Sequence, residues 1–266
     1  MLHVIAFGTD KQAYFDLFMA SCRRCRVEPI LLGWGTPWVG YGKKTTDIRT
    51  LIQDYPADDV VLSVDPFDVV FMGTPDEIEA RFRRRPAAFL CGALRLSRRM
   101  ARIYEHEFNR SGRPTPRTPS GYDYLNSGTW IATAGHARRV IDRLVGQFGM
   151  RGTDMDQEIL TTLYITEPET VALDWQCEIF HNLLFVDFVT RRPDLKDLAF
   201  EDGRLVNTVT GARPCLLHAS GNARLGGVAH RLGYDGPAAL PAGQTTNFLR
   251  KAGFHIKTLL SLVRRH

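Results

Sequence analysis

The sequence predicts an α/β domain: a mostly parallel central sheet with helices on both faces. Three observations predict it. Short apolar runs without alternation, such as Val60 to Val64, read as strands covered on both sides, and such strands belong to parallel sheets. These runs take turns with stretches of helical period, in the order β-α-β-α-β and then α-β. A chain of 266 residues has enough length to cover both faces of one large sheet.

The elements follow in order. His3 to Phe7 reads as a first strand. Asp10 to Cys25 reads as a helix, with Asp10 as its N-cap and Tyr14, Leu17, Phe18 and Ser21 on one stripe. Glu28 to Leu32 is a second strand. A loop of glycines and aromatics, Gly33 to Lys44, comes next. Thr45 to Tyr55 is helical with Ile48, Leu51 and Ile52 inward, and Val60 to Val64 is the third strand. A second apolar run, Val69 to Phe71, follows at once. Thr74-Pro75-Asp76-Glu77 opens a helix with a capping box and a proline at the first helical position. Ala87 to Leu90 is a fourth strand. Asn109 to Ser120 is a proline-containing loop. Tyr124 to Ala132 reads as a strand, 134–148 and 154–163 as helices, and 171–173, 185–189 and 214–218 as further strands.

There are no internal repeats. The composition shifts after Asn222. The reading is therefore one domain over 1–222, then 223–266 as a Gly/Ala/Pro-rich linker or wrapping segment with a helix at 247–266. In that helix Phe248, Leu249, Ala252, Ile256, Leu259, Leu260 and Val263 share one face, largely opposite Arg250, Lys251, Lys257, Arg264 and Arg265. Such a helix lies on an anionic membrane or docks on its own domain, and both readings stand.

Composition narrows the function. The chain is 44% hydrophobic and 24% charged, ordinary for a globular protein. No run has the length of a membrane span, and Met1 to Phe7 lacks the pattern of a signal peptide. These features predict a cytoplasmic protein, with membrane contact from that side. A net charge of +5 and a pI near 9.0 favour anionic partners. The arginines at 81–85 and 98–102 lie on predicted helices and read as solvated faces, and no nucleic-acid motif is present. Five cysteines, an odd count, argue for reduced thiols; Cys22-x-x-Cys25 sits at the far end of a helix, where packing is the expected role.

The candidate chemistry begins where the third strand ends. Asp65-Pro-Phe67-Asp68 places two carboxylates at a strand's carboxyl end, the ligand side of an open α/β sheet. Two such carboxylates hold a divalent cation, which in turn holds a phosphate; the competing reading is turn capping. His218 ends another strand before a small-residue turn, and an imidazole ligand shifts preference from Mg²⁺ to Mn²⁺. The glycines at 33, 35, 40 and 42 let backbone approach a ligand; Trp34, Trp38 and Tyr41 offer faces for stacking, and Lys43 and Lys44 offer charge for a diphosphate. Asn126 and Ser127 can bond sugar hydroxyls, or mark a bulge. Asp154 and Asp156 at a helix start read as N-terminal acids, or as groups that bind sugar hydroxyls or serve as a general base.

These segments, in this order, resemble the glycosyltransferase domain of the multifunctional procollagen lysyl hydroxylases, and more loosely the collagen β-galactosyltransferases. Val64-Asp65-Pro-Phe-Asp68-Val-Val-Phe71 is similar to the family's D-x-Y-D-V-V-F, and Tyr124-Leu-Asn-Ser-Gly-Thr-Trp-Ile131 to its L-(N/G)-S-G-G-F-I segment. Asp154-Met-Asp156-Gln157 resembles its D-x-D-Q. Leu173-Asp174 to Phe180-His-Asn182 resembles its L-D-x-x-C-x-I-F-Q-N, and Leu217-His218-Ala-Ser-Gly221 its I-H-G-N-G. The resemblance spans about residues 3 to 222.

It implies a GT-A fold, a UDP-sugar donor such as UDP-galactose or UDP-glucose, and Mn²⁺ (or Mg²⁺) held by Asp65, Asp68 and His218. It further implies donor contacts from Lys43 or Lys44 and Phe67 and roles near the transferred sugar and acceptor for Asp154 and Asp156; Trp38, Asn126, Ser127 and Gly221 complete the expected donor site. Departures are specific. Phe67 replaces a tyrosine, keeping the ring and losing the hydroxyl. Ala219 and Ser220 replace a glycine and an asparagine. The acceptor expected is a hydroxyl, on a glycan or a lipid-linked molecule. Two rival classes remain on sequence grounds: a metal-dependent phosphohydrolase and a non-catalytic sugar-nucleotide binder.

Overall fold

A computed structural model describes residues 1–85, 89–96, 101, 105, 117–146, 149–151, 156–186, 190–220 and 223–235. Its centre is a six-stranded sheet. The strands are β1 (Leu2–Phe7), β2 (Pro29–Leu32), β3 (Val60–Val64), β5 (Phe89–Leu94), β6 (Tyr124–Thr133) and β7 (Ala172–Leu173), in the order β2-β1-β3-β6-β5-β7. All pairings are parallel except those of β6, which runs against both neighbours.

Helices cover both faces because side chains alternate along each strand. Ile5 and Val61 face one cluster, with Ile48 of α2 (Tyr41–Leu51), Val140 and Leu144 of α4 (Ala134–Gly146) and Leu160 of α5 (Asp156–Thr166). Val4, Ala6, Val60 and Leu62 face the other, with Phe18 of α1 (Phe15–Cys25) and Ile78 and Phe82 of α3 (Pro75–Arg83). Thr74 caps α3 as its sequence requires, accepting the Glu77 N–H at 3.3 Å.

A second sheet of three strands, β4-β11-β8, stands beside the first: β4 (Val69–Phe71), β8 (Phe180–Asn182) and β11 (Leu216–His218). Asp174 anchors it. This fully buried carboxylate accepts the N–H groups of Ile179 at 2.7 Å, Phe180 at 2.8 Å and Glu178 at 3.2 Å. Arg85 donates to it at 3.3 Å.

Several boundaries differ from the sequence expectation. α1 starts at Phe15 with Tyr14 in the capping position, so Asp10 is not its N-cap. α2 starts at Tyr41, inside the glycine-rich segment. The strand expected at 185–189 is instead β8, earlier in the chain; Phe185 makes only an isolated bridge to Pro193, and 187–189 lie outside the described residues. A hairpin of β9 (Leu198–Glu201) and β10 (Arg204–Asn207) was not expected. Residues 223–235 are no free linker. They carry α6 (Gly226–Arg231) and bury Ala223, Leu225, Val228 and Leu232 against Leu17, Val70 and Leu217. The amphipathic segment 247–266 and Arg98, Arg99 and Arg102 fall outside the described residues. Among the described residues no helix is long and apolar enough to cross a membrane.

Burial has one consequence for acid stability. His181 is buried in β8, and desolvation lowers its pKa from the usual 6.5 to about 4. Its folded form is neutral, while the unfolded chain binds a proton below pH 6.5. Stability from this group is therefore full above pH 6.5 and is lost as pH falls towards 4. The expected loss between pH 6.5 and 5 is about 2 kcal/mol. Urea unfolding at both pH values, for the native chain and His181→Gln, checks it: the variant should lack this component.

Candidate active site

The second sheet brings the distant ligand candidates together. β11 runs antiparallel to β4, with His218 opposite Val69, so the imidazole arrives beside Asp68. The Ala219 N–H donates to the Asp68 carbonyl at 2.7 Å and holds that register. His218 Nε2 then lies 3.3 Å from Asp68 Oδ1. β11 runs parallel to β8, with His218 opposite Asn182, and His218 Nδ1 is 2.7 Å from Asn182 Oδ1.

Asn182 fixes the tautomer. Its Nδ2 donates to the Ala93 carbonyl at 3.0 Å, which leaves Oδ1 as the acceptor facing the ring. His218 Nδ1 therefore carries a proton, and in the neutral ring Nε2 presents its lone pair to Asp68. Asp68 Oδ1 is buried and has no hydrogen-bond partner. In that form two bare acceptors face each other across 3.3 Å, which costs energy unless a cation, a metal ion or a proton on Nε2, lies between them.

Asp65 occupies the same turn. Its Oδ1 accepts the Phe67 N–H at 3.1 Å. Burial, and next the Asp68 charge, push its carboxyl up to about 6, with Lys44 the largest opposing influence. Among the described residues no three His, Cys, Asp or Glu side chains are gathered as a complete metal cage. Asp68 and His218 meet; Asp65 is turned towards its own loop. Such a partial set fits Mg²⁺ or Mn²⁺, which take one or two protein carboxylates and complete their shell with phosphate and water.

The two lysines separate. Lys44 is buried at 4% exposure on the first turn of α2, where its charge acts on both Asp65 and Asp156. Lys43 points away and pairs with Asp47 at 2.6 Å on the exposed side. Tyr41 begins the same helix. Burial first, then the charges of Asp156, Asp65 and Asp68, push its phenol upward, so the hydroxyl belongs to this acidic group. The sequence suggested a stacking face for Tyr41; only the helix start gives it this position.

A bulge supplies the other wall. β5 and β6 pair Cys91 with Trp130 and then Gly92 with Asn126, so Ser127, Gly128 and Thr129 are pushed out of the ladder. Ser127 Oγ donates to Asp156 Oδ1 at 3.0 Å, and its N–H donates to Gln157 Oε1 at 2.9 Å. Asp156 is buried, which raises its carboxyl pKa, with Lys44 pulling it back. Asn126 is buried and its Oδ1 accepts the Gly128 N–H at 3.1 Å. Gly128 is the floor under the imidazole: a Cβ there would stand 2.8 Å from His218 Nε2 and closer still to Cε1. The bulge and the polar wall formed by Asn126, Ser127 and Asp156 are thus one feature. Asp154 and Gly221 lie outside the described residues.

A cavity of about 450 Å³ opens at the carboxyl ends of β1 and β2, lined by Thr9, Asp10, Gln12, Gly35, Thr36 and Trp38. Trp38 is 50% exposed, edge-on to Phe7 and Tyr41. The Phe67 ring closes over Gly8 at the end of β1, where a Cβ would meet it at 2.9 Å. Thr9 and Gln12 went unremarked in the sequence; their place follows from the strand-end rule.

The family model described as the PLOD GT domain matches residues 1–228. This chain belongs to that family. The PLOD GT domain is a glycosyltransferase domain, and the six-stranded α/β architecture is the one expected of this chain. Procollagen-lysine,2-oxoglutarate 5-dioxygenase 2 of Homo sapiens is 29% identical over 244 residues, 84% of this chain and 30% of that protein. The Mus musculus protein of the same name is 28% identical over 243 residues, with the same coverage. The chain thus spans less than a third of the length of these relatives. Mouse xyloside xylosyltransferase 1, in its apo crystal structure, has a TM-score of 0.45 at 13% identity, covering 84% of this chain and 98% of that one.

Proposed function

We propose that this PLOD GT domain transfers a hexose from a UDP-sugar, UDP-galactose or UDP-glucose, to a hydroxyl acceptor, using Mn²⁺ or Mg²⁺. The observation that carries the reading is the facing pair: a buried Asp68 oxygen without a hydrogen-bond partner, 3.3 Å from His218 Nε2. Asp68 and His218 would hold the cation, with Asp65 as the third arm from the same turn. When bound, the cation supplies Lewis-acid stabilisation of the charge that grows on the leaving diphosphate.

The chain's own residues do the rest. The strand-end cavity takes the nucleoside, with Trp38 and Phe67 as apolar faces for the base. Lys44 brings its buried charge to the diphosphate side. Ser127 and Asn126, pushed inward by the bulge, orient sugar hydroxyls. Asp156 is the candidate base for the acceptor hydroxyl: burial raises its carboxyl towards the range where proton transfer is efficient. Asp154 keeps its acceptor-side role as a proposal from the family motif, and Gly221 its donor contact.

A UDP-release assay tests this. A panel of UDP-sugars with Mn²⁺ should give slow release by donor hydrolysis from at least one sugar, and chelation should stop it. Silence across the panel, alongside phosphate release from a simple phosphoester, would replace this reading with a phosphohydrolase.

A further inference from the structure

A second cavity, about 460 Å³, lies between α6 and the segment that leads into β9. It shares no residue with the site around Asp68. Arg192, Arg224 and Arg231 line it, together with Leu195, Gly227 and Val228. The Arg224 N–H donates to the Arg191 carbonyl at 2.9 Å, which fastens the two walls to each other. The Arg231 guanidinium rests over the Phe200 ring, 5.1 Å from its centre, so its plane is held while its N–H edges stay open.

Several guanidiniums elsewhere in the protein are matched with acids. Arg49 pairs with Asp142, Arg95 with Asp197, Arg143 with Glu167, Arg204 with Glu77 and Arg213 with Glu201. Among the described residues no carboxylate pairs with Arg192, Arg224 or Arg231. Three like charges around one concavity repel each other and concentrate positive potential there. Guanidinium forks match the oxygens of a phosphate in paired hydrogen bonds. Leu195 and Val228 add an apolar wall that an organic body attached to the phosphate would cover.

We propose that this cavity binds a phosphate-type dianion, at a place separate from the donor site. The net charge of +5 suits such a partner.

Isothermal titration of the whole chain with inorganic pyrophosphate, in EDTA so that no divalent cation contributes, tests it. Binding is expected, weakened about tenfold by Arg192→Gln or Arg231→Gln and roughly a hundredfold by both. All three arginines are solvent-exposed, so the variants should fold, which circular dichroism checks. Asp68→Asn should leave the affinity unchanged. Absence of binding, or equal binding by the double variant, would overturn the proposal. So would displacement of pyrophosphate by UDP in the Asp68→Asn protein, which would make this the donor's own phosphate site. Two more probes separate the sources of the phosphate. Glycerol phosphate reads a soluble ester, and co-sedimentation with phosphatidylglycerol vesicles reads a lipid headgroup; loss of either signal in the double variant supports the proposal and names its source, while a double variant that keeps both sinks it. Because none of these readouts needs sugar transfer, failure here and failure of the glycosyltransfer reading are distinguishable.

Discussion

Asp68→Asn is expected to cut Mn²⁺-dependent UDP release on the order of a thousandfold, the scale set by loss of one electrostatic stabiliser at a developing charge. The same variant should be no less stable than the native chain. Asparagine keeps the shape of the turn and removes a carboxylate whose buried Oδ1 has no hydrogen-bond partner. Its amide can also donate to His218 Nε2, 3.3 Å from the present oxygen, where the carboxylate cannot. Lost activity with a retained or raised melting temperature is the signature of a ligand; equal loss of both would mean that Asp68 is merely structural. Gly128→Ala should reach a similar end by another route, since its methyl group would intrude on the imidazole. There the fall in activity should come with weaker Mn²⁺ binding, measured by titration.

Asp174→Ala is expected to destabilise the domain by about 3–5 kcal/mol, the usual cost of breaking a buried charged arrangement from one side. The carboxylate is wholly buried and satisfies three consecutive backbone N–H groups at the entrance to β8. Removing it strands those donors and the Arg85 guanidinium. For a domain of this size the loss corresponds to roughly 10 °C in melting temperature. Asp174→Asn keeps one acceptor oxygen and should lose distinctly less. The effect reaches the site, because β8 carries Asn182, the residue that orients His218. A destabilised variant with unchanged Mn²⁺ affinity at low temperature would break that link. A melting curve within 2 °C of the native one, an estimate of measurement scatter against that shift, would refute the anchoring role altogether.

Much of this arrangement can be read in the chain. Val60 to Val64 announces a covered strand, and the two aspartates after it announce a strand-end site, because those rules are local. What cannot be read is register. Nothing near His218 says that it will stand opposite Val69 on one side and Asn182 on the other. That pairing assigns Asn182 its role, although the residue sat in view in the Phe180-His-Asn182 run. The choice between Lys43 and Lys44 turned on helix phase. Gly40 and Gly42 disguise the start of α2, since glycine is a poor helix former, and a start at Tyr41 is what sends Lys44 inward. Residues 223–235 left two readings open, linker or wrapping segment, and packing decides between them: Ala223 and Ala229 let the segment lie close against Val70 and Leu217. The bulge at 127–129 was legible only as a possibility of geometry, and Asp156 gives it its purpose.

Cys22, Cys25, Cys91, Cys177 and Cys215 are all unpaired and all buried. Desolvation raises each thiol's pKa, to about 12 for Cys22 and Cys215, so almost no thiolate exists at neutral pH. Thiolate is the nucleophilic form, the one that attacks disulfides and oxidants. The enzyme's covalent skeleton should therefore be the same in glutathione-rich and in oxidising surroundings. Its sulfur chemistry carries no address, and storage without reductant should leave it intact.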